Sequence, residues 1–190
     1  MQFELPDGYI NINKKIIAQI KADIEADKDF HYLFIGVTGC GKTYLAKHIK
    51  KLLNKDIYNS TEKMKTVSCR KIYAEYLYVN GSNVSDKSEA LKKKRGCLRT
   101  NNVLLDDIGD EKPKTEASSS FIEDIIEDRY EWIESGRAKH TIYTTNLDSD
   151  KLANLYGDRV LDRIYQHFTV FIFKKHSFRA GNAKIIDENK

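Results

Sequence analysis

A glycine-rich loop constrains the fold of this chain more than any other feature. Residues 36–43 read GVTGCGKT, which is the complete pattern of a phosphate-binding loop, or P-loop. The apolar residues 32–35 before it predict a strand, and the apolar spacing after it predicts a helix. A turn between a strand and a helix directs several backbone N–H groups and the positive end of the helix at one point. The sequence therefore predicts a site for the phosphates of ATP or GTP.

Each residue type in the P-loop has a chemical reason. The glycines allow positive φ angles and let phosphates approach the backbone closely. The Lys42 ammonium can reach the β and γ phosphates, and the Thr43 hydroxyl can bind Mg²⁺. The nucleotide-binding residues that we expect are Gly36, Val37, Thr38, Gly39, Cys40, Gly41, Lys42, Thr43 and Tyr44.

The composition is that of a water-soluble globular domain. The chain has 190 residues, of which 41% are hydrophobic and 32% charged, and this length suffices for one domain with a sizeable core. No apolar run approaches the roughly 20 residues of a membrane span, and the first residues lack the layout of a signal peptide. Three scattered cysteines show no metal-ligand spacing. We therefore expect a cytoplasmic protein with reduced thiols and no membrane partner.

Hydrophobic periodicity predicts strands that alternate with helices. Nearly every strand residue is apolar, which is typical of a parallel α/β sheet covered by helices on both faces. Strands are expected at residues 32–35, 64–68, 103–105, 141–145 and 169–173. Helices are expected at residues 13–28, after the P-loop to residue 54, at 70–79, 85–97 and 118–135, and as two short segments before the fifth strand.

Two carboxylates follow the predicted third strand. Asp106 and Asp107 would lie at the carboxyl edge of the sheet, beside the P-loop. There Asp106 can hold Mg²⁺, and Asp107 can orient and polarise an attacking water. The alternative is an acidic turn that only caps the next segment, and the neighbouring P-loop favours the catalytic interpretation.

Two later motifs allow more than one interpretation. Asn146 ends the fourth strand, where its amide can contact a γ-phosphate and a lytic water, or simply form a turn. Arg159 and Arg163 are one turn apart on a predicted helix. They are either surface ion pairs with Asp158 and Asp162, or an arginine finger that reaches a neighbouring subunit's γ-phosphate.

The series GVTGCGKT, LLDDIGDE, YTTN and GDRVLDRI, in this order, resembles the AAA+ ATPases of the DnaC/DnaI/IstB type. These proteins are bacterial helicase loaders and transposition helper ATPases, and the resemblance covers residues 13–180 approximately. It makes Lys42 and Thr43 the Walker A residues, Asp106 and Asp107 the Walker B residues, and Asn146 sensor 1. It implies ATP rather than GTP, with Mg²⁺, and a P-loop NTPase core with a five-stranded parallel sheet in the order 5-1-4-3-2.

The resemblance also implies self-assembly, in which one subunit completes another's site. Arg163 stands where the family places its finger, with Arg159 as the second choice, and Arg179 resembles a nucleotide-facing arginine of the sensor-2 kind. We expect a single AAA+ domain over residues 1–190, with an N-terminal segment (1–29), a core (30–173) and a short tail (174–190). That tail is too short for a helical lid domain, and the N-terminal segment is too short for the helicase-gripping domain of the family's loaders.

Three functions remain open at this point. The first is a helicase-loader-like ATPase that acts as an ATP-dependent assembly switch on DNA and a replicative helicase. The second is an IstB-like transposition helper that recruits a transposase. The third, a small-molecule P-loop kinase, would leave Asn146 and the arginine pair without roles. The Asp-Asp form of Walker B favours slow hydrolysis that assembly or DNA stimulates, because the shorter Asp107 leaves a longer gap to the water.

A basic cluster is the candidate contact for single-stranded DNA. It lies between the second and third strands, where the resembling family carries elements that face DNA. Net charge is only +4, so the composition neither requires nor excludes nucleic acid. A solvated helix face is the alternative. The cluster consists of Lys92, Lys93, Lys94, Arg95 and Arg99.

Overall fold

The computed structural model describes residues 14–55, 57–59, 62–81, 96, 98–111 and 116–174. The predicted helix at 85–97 therefore lies almost entirely outside the described residues, as do Lys92, Lys93, Lys94, Arg95 and Arg179.

The described residues form an alternating series of strands and helices, as the periodicity predicts. The strands are β1 (Phe30–Gly36), β2 (Lys65–Ser68), β3 (Asn102–Ile108), β4 (His140–Thr145) and β5 (Thr169–Phe173). The helices are α1 (Lys14–Glu25), α2 (Lys42–Leu53), α3 (Cys69–Gly81), α4 (Glu116–Glu134), α5 (Ser149–Tyr156) and α6 (Asp158–His167).

All the strand pairings are parallel, and the sheet order is β2-β3-β4-β1-β5. Read from the other edge this is 5-1-4-3-2, so the predicted fold class and strand order are confirmed. The order places the P-loop strand β1 beside β4, and β4 beside β3. Since parallel strands end at one edge, the segments that follow β1, β3 and β4 meet there.

Hydrophobic residues fill the space on both faces of the sheet. Leu33, Leu105 and Tyr143 belong to the larger cluster, which includes the buried residues of α3 to α6. Their strand neighbours Phe34 and Leu104 belong to the second cluster, which includes α1 and α2. Successive strand residues thus alternate between two helical layers. This explains the continuous apolar runs in the sequence.

One strand differs from the prediction in a way that matters for the site. β3 continues to Ile108 rather than ending at residue 105, and its register against β4 shifts between Leu105 and Ile108. Such a shift marks a β-bulge, in which one strand carries additional residues. The apolar run ends at Leu105, and the next two residues of the strand are the carboxylates Asp106 and Asp107, so hydrophobicity does not predict the continuation.

A buried arginine ties α4 to the amino end of the sheet. Arg129 is 2% exposed, and its guanidinium donates to the carbonyls of Leu98, Thr100, Asn101 and His140 and to the hydroxyl of Thr141. Burial lowers the pKa of this guanidinium to about 10, so it stays charged at neutral pH. The acceptors of this guanidinium are neutral oxygens. Its hydrogen bonds join the loop before β3 to the start of β4.

Among the described residues, no helix is long and apolar enough to cross a membrane.

Candidate nucleotide site

The P-loop occupies the turn between β1 and α2, as predicted. Gly39 and Gly41 have φ angles of 83° and 100°, which lie in the left-handed region that glycine tolerates. Gly41 is the N-cap of α2 and carries no side chain into the space in front of the helix. The amino terminus of α2 is therefore the kind of end that favours an anion.

Gly36 is required by the packing between β1 and β5. A Cβ atom at this position would lie 2.7 Å from the carbonyl oxygen of Phe173 and 3.0 Å from the Cys40 sulfur. Neither the backbone of β5 nor the loop can move aside cheaply. A glycine therefore lets the loop begin close beside the edge strand.

Lys42 points back into the loop that precedes it. Its side chain is buried at 4% exposure, and its ammonium donates to the carbonyls of Gly36 at 2.7 Å and Val37 at 2.9 Å. It also donates to Oδ1 of Asn146 at 2.9 Å. The ammonium thus joins the P-loop to the residue that follows β4, which is the proximity that the sequence motifs predict.

Asp106 accepts hydrogen bonds from two threonines. The hydroxyls of Thr43 and Thr144 both donate to its Oδ1, each at 2.8 Å. Its Oδ2 lies 3.8 Å from the Lys47 ammonium. The carboxylate is buried, and the P-loop, β3 and β4 all contribute to its surroundings. Thr144 was missed as a site residue; the signal in the sequence was a hydroxyl two residues before Asn146 on a buried strand.

Asp107 has a left-handed backbone, with φ at 60°. Its N–H donates to the Thr144 hydroxyl at 2.9 Å, and this bond holds the bulged strand against β4. Aspartate adopts this conformation more readily than most residues, although it still costs free energy. Burial raises the pKa of its carboxyl, and the neighbouring Asp106 and Asp110 carboxylates raise it further. A raised pKa makes this carboxylate a better proton acceptor than an ordinary aspartate.

The donor set suits magnesium bound together with a nucleotide. Mg²⁺ prefers oxygen ligands and is usually held by one or two carboxylates together with substrate phosphates. Asp106 and the Thr43 hydroxyl are such oxygens, and they are already adjacent. Among the residues that the structure describes, no group of three or more His, Cys, Asp or Glu side chains could hold a metal alone. The residues present therefore fit a metal that arrives with phosphates.

The other loop residues differ in exposure. Val37 and Tyr44 are 55% and 52% exposed, whereas Cys40 is buried against the Lys42 ammonium, with 3.6 Å between sulfur and nitrogen. Arg99, the one member of the basic cluster that the structure describes, pairs with Asp128 at 3.4 Å.

The two arginines of α6 have different surroundings. Arg163 forms an ion pair with Glu127 of α4, and its guanidinium carbon lies 4.8 Å from the ring centre of Tyr130. Arg159, one turn earlier, is exposed. Neither the Arg163 contact with Glu127 nor the one with Tyr130 was expected from the sequence, because the local pattern suggested Asp158 or Asp162 as the partner.

Sequence reasoning also missed a buried carboxylate beyond the bulge. Glu111 is fully buried; its Oε2 accepts from the N–H of Gly109 at 3.0 Å, and its Oε1 accepts from the hydroxyl of Tyr156. The sequence offers one signal, a glutamate four residues after Asp107. Its partner on α5 is far away in the chain.

The sequence profile of the ATPase family associated with various cellular activities (AAA) matches residues 32–168. This range contains the P-loop, both carboxylates, Asn146 and the arginine pair. The chain belongs to the AAA family. The match confirms the resemblance that the four motifs indicate, at the level of the family. The AAA family is a family of ATPases.

Solved structures share the fold of this AAA domain. A DnaC helicase loader superposes with a TM-score of 0.66 at 22% identity, over 88% of this chain and 95% of the other. Domain III of the Thermotoga maritima replication initiation protein DnaA superposes with a TM-score of 0.62 at 16% identity, over 92% of this chain and 65% of the other. A DNA replication initiation factor superposes with a TM-score of 0.60 at 20% identity, over 90% of this chain and 47% of the other. The chain thus spans about half of that last protein.

No curated protein sequence is significantly similar to this AAA chain. At these identities the structural likeness establishes the fold, including the predicted AAA+ core.

Proposed function

We propose that this AAA protein binds and hydrolyses ATP as a helicase-loader-like accessory factor of DNA replication. In this proposal it is an ATP-dependent assembly switch that acts on DNA and a replicative helicase in the cytoplasm. The observation that carries the ATPase part is the convergence of Lys42, Asp106 and Asn146 at one sheet edge. The replication part rests on the likeness to the DnaC helicase loader, which covers nearly the whole of both chains.

Each side chain at the sheet edge receives a role that its contacts support. Lys42 would face the β and γ phosphates, and Thr43 and Asp106 would hold Mg²⁺, which would neutralise phosphate charge. Asp107 would orient the attacking water and accept its proton as the water oxygen bonds to the γ-phosphorus, while the bond between γ-phosphorus and the bridging oxygen of ADP breaks. Asn146 already shares a hydrogen bond with Lys42, so it can respond to whatever the ammonium contacts.

In this proposal, self-assembly affects hydrolysis because the arginines of α6 act on the nucleotide of a neighbouring subunit. An arginine from a neighbouring subunit would stabilise the charge that builds on the γ-phosphoryl oxygens. Arg163 stands at the family's position and must leave Glu127 to act in this way, whereas Arg159 is already exposed. Arg179 is proposed as a further nucleotide contact, and Lys92 to Arg95 with Arg99 as the contact for single-stranded DNA.

The ATP part is tested by measuring Mg-ATP affinity for the wild type and for Lys42→Ala. We expect the substitution to abolish tight binding, because it removes a buried cation that faces the phosphates. Lys50→Ala is the matched control, since Lys50 lies on the same helix and its ammonium donates to the exposed Thr66 hydroxyl. Equal affinities for the two variants would contradict the assignment.

The replication part is tested by mixing the purified chain with the replicative helicase of its own host and with single-stranded DNA, and separating the complexes by size. We expect co-elution with the helicase in Mg-ATP, and release in Mg-ADP. Failure to bind the helicase, together with ATP-dependent binding of a transposase on duplex DNA, would make the protein a transposition helper instead.

A further inference from the structure

Glu111 is the most completely buried carboxylate that the structure describes outside the nucleotide site. It has 0% exposure, and a buried carboxylate costs free energy unless its oxygens are hydrogen-bonded. Both oxygens have partners, and these belong to different elements. One is the backbone N–H of Gly109, just after β3, and the other is the hydroxyl of Tyr156, the last residue of α5.

The Gly109 bond fixes the turn that begins at Asp107. The N–H of Asp110 donates to the carbonyl of Asp107 at 3.1 Å, which closes the turn, and the Gly109 N–H donates to Glu111. Gly109 has a φ angle of 85°, and a Cβ there would lie 2.4 Å from Leu147 Cδ1. The turn is therefore pressed against the segment that follows β4, and its conformation is continuous with the left-handed backbone of Asp107.

The Tyr156 bond connects this turn to the arginine helix. Tyr156 is 5% exposed and directly precedes Gly157, which has a φ angle of 84° and is the N-cap of α6. The hydroxyl of Tyr156 thus holds the start of α6 at a fixed distance from the turn. The Tyr156–Glu111 hydrogen bond therefore joins the turn to the residue that precedes the N-cap of α6, the helix that carries Arg159 and Arg163.

We propose that Glu111, held by Tyr156, is a positioning residue that sets the conformation of the Asp107 turn and links it to α6. It does not contact the nucleotide; it acts through the backbone of Gly109. This proposal rests on the proposed ATPase function, because its consequence is the alignment of the Asp107 carboxylate with the attacking water. Misplacement of a reacting group by about 1 Å can lower a rate about a hundredfold.

The test compares Tyr156→Phe with Tyr32→Phe. Each substitution deletes a hydroxyl that donates to a carboxylate from an almost fully buried ring, and the Tyr32 bond, to Asp23 at 2.7 Å, lies on the opposite face of the sheet. Tyr156→Phe should lose more stability, because it leaves a fully buried carboxylate oxygen without a donor, whereas Asp23 is partly exposed and also accepts from Gln19. Both variants are therefore assayed at a temperature at which each is folded. We measure the hydrolysis rate at saturating Mg-ATP, the ATP affinity, and the hydrogen-exchange rate of the Gly109 amide without nucleotide.

We expect Tyr156→Phe to hydrolyse ATP about tenfold more slowly than Tyr32→Phe with unchanged ATP affinity, because only the alignment of Asp107 is impaired. Its Gly109 amide should exchange faster, whereas that of Tyr32→Phe should exchange as in the wild type. Glu111→Gln, which keeps an oxygen for the Gly109 N–H, should lose less activity than Glu111→Leu.

Equal hydrolysis rates for the two tyrosine variants, or equal Gly109 exchange, would overturn the positioning role while leaving the ATPase proposal intact. A wild type that binds ATP but never hydrolyses it, alone or assembled on DNA, would overturn both. The two failures are therefore distinguishable, because the second appears in the wild type and the first only in the variants.

Discussion

The backbone N–H of Asp107 donates to the side-chain hydroxyl of Thr144 at 2.9 Å, and the same hydroxyl donates to Asp106 at 2.8 Å. One threonine of β4 therefore contacts the carboxylate of Asp106 and the backbone of Asp107. It anchors the bulge at which Asp107 takes its left-handed conformation, and it orients the Asp106 oxygen that also receives the Thr43 hydroxyl.

Asp107→Asn should stop ATP hydrolysis without lowering the stability of the fold. Asparagine tolerates the left-handed backbone, and the change removes a carboxylate whose pKa is raised by burial and by Asp106 and Asp110. We expect the melting temperature to rise or stay unchanged and ATP affinity to persist, while hydrolysis stops because an amide cannot accept the proton. Thermal unfolding and single-turnover hydrolysis check this. Wild-type turnover would show that Asp107 does not activate the water.

Arg129→Met should strongly destabilise the fold without touching the nucleotide site. The guanidinium is 2% exposed, and its loss leaves buried carbonyls and the Thr141 hydroxyl without a donor. We expect the free energy of unfolding to fall by at least about 3 kcal/mol, because each unsatisfied buried group is costly. Denaturant unfolding measures it.

The control for this change is Arg137→Met. Arg137 is exposed and stacks on Trp132, with 3.8 Å from its guanidinium carbon to the ring centre. We expect a loss below about 1 kcal/mol, as for an exposed cation–π contact. If Arg129→Met were no more harmful than this control, the buried guanidinium would not be what secures the amino end of the sheet.

Two histidines should make the fold sensitive to acid. Burial lowers the pKa of His31 and His140 from 6.5 to about 4. Between these pH values the unfolded chain binds protons that the folded chain excludes, so the free energy of unfolding falls as pH is lowered from 6.5 towards 4. Each histidine contributes at most about 1.4 kcal/mol per pH unit in this window.

Denaturant unfolding of the wild type and of His31→Asn/His140→Asn across that pH range tests the histidine prediction. The double variant has no group at these positions that titrates in the window, so its stability should depend less steeply on pH. Parallel pH dependences would mean that other groups cause the acid sensitivity.

Most of the fold was predictable from the sequence, because each buried strand is an apolar run and each helix has an apolar stripe. The P-loop was predictable for a different reason, since its chemistry fixes residue types at fixed spacing. Thr144, Glu111 and Arg129 were not, because their partners are distant in the chain and a polar residue carries no periodic signal of burial. The continuation of β3 through its carboxylates was missed for the same reason.

The Arg163–Glu127 contact should restrain assembly-dependent hydrolysis. The carboxylate of Glu127 holds the guanidinium against α4 of the same chain, beside Tyr130. Glu127→Gln removes that charge, so we expect the stimulated ATPase rate to be reached at a lower protein concentration. The measurement is the ATPase rate per subunit over a protein dilution series.

Glu134→Gln is the matched control, because Glu134 joins the same two helices through His167. Identical concentration dependence for Glu127→Gln and Glu134→Gln would assign Arg163 to a structural ion pair. The trans role would then pass to Arg159, which is exposed.

Two inactive proteins can be mixed to test whether α6 of one subunit completes the ATPase site of its neighbour. Lys42→Ala keeps both arginines but cannot hold ATP, and Arg159→Ala/Arg163→Ala keeps an intact P-loop. We predict that the mixture hydrolyses ATP well above either protein alone, since an arginine supplied in trans accelerates P-loop hydrolysis by on the order of 10³ or more. If mixing restores no ATPase activity, and the wild-type rate per subunit is independent of protein concentration and of DNA, then α6 does not complete the site of a neighbouring subunit.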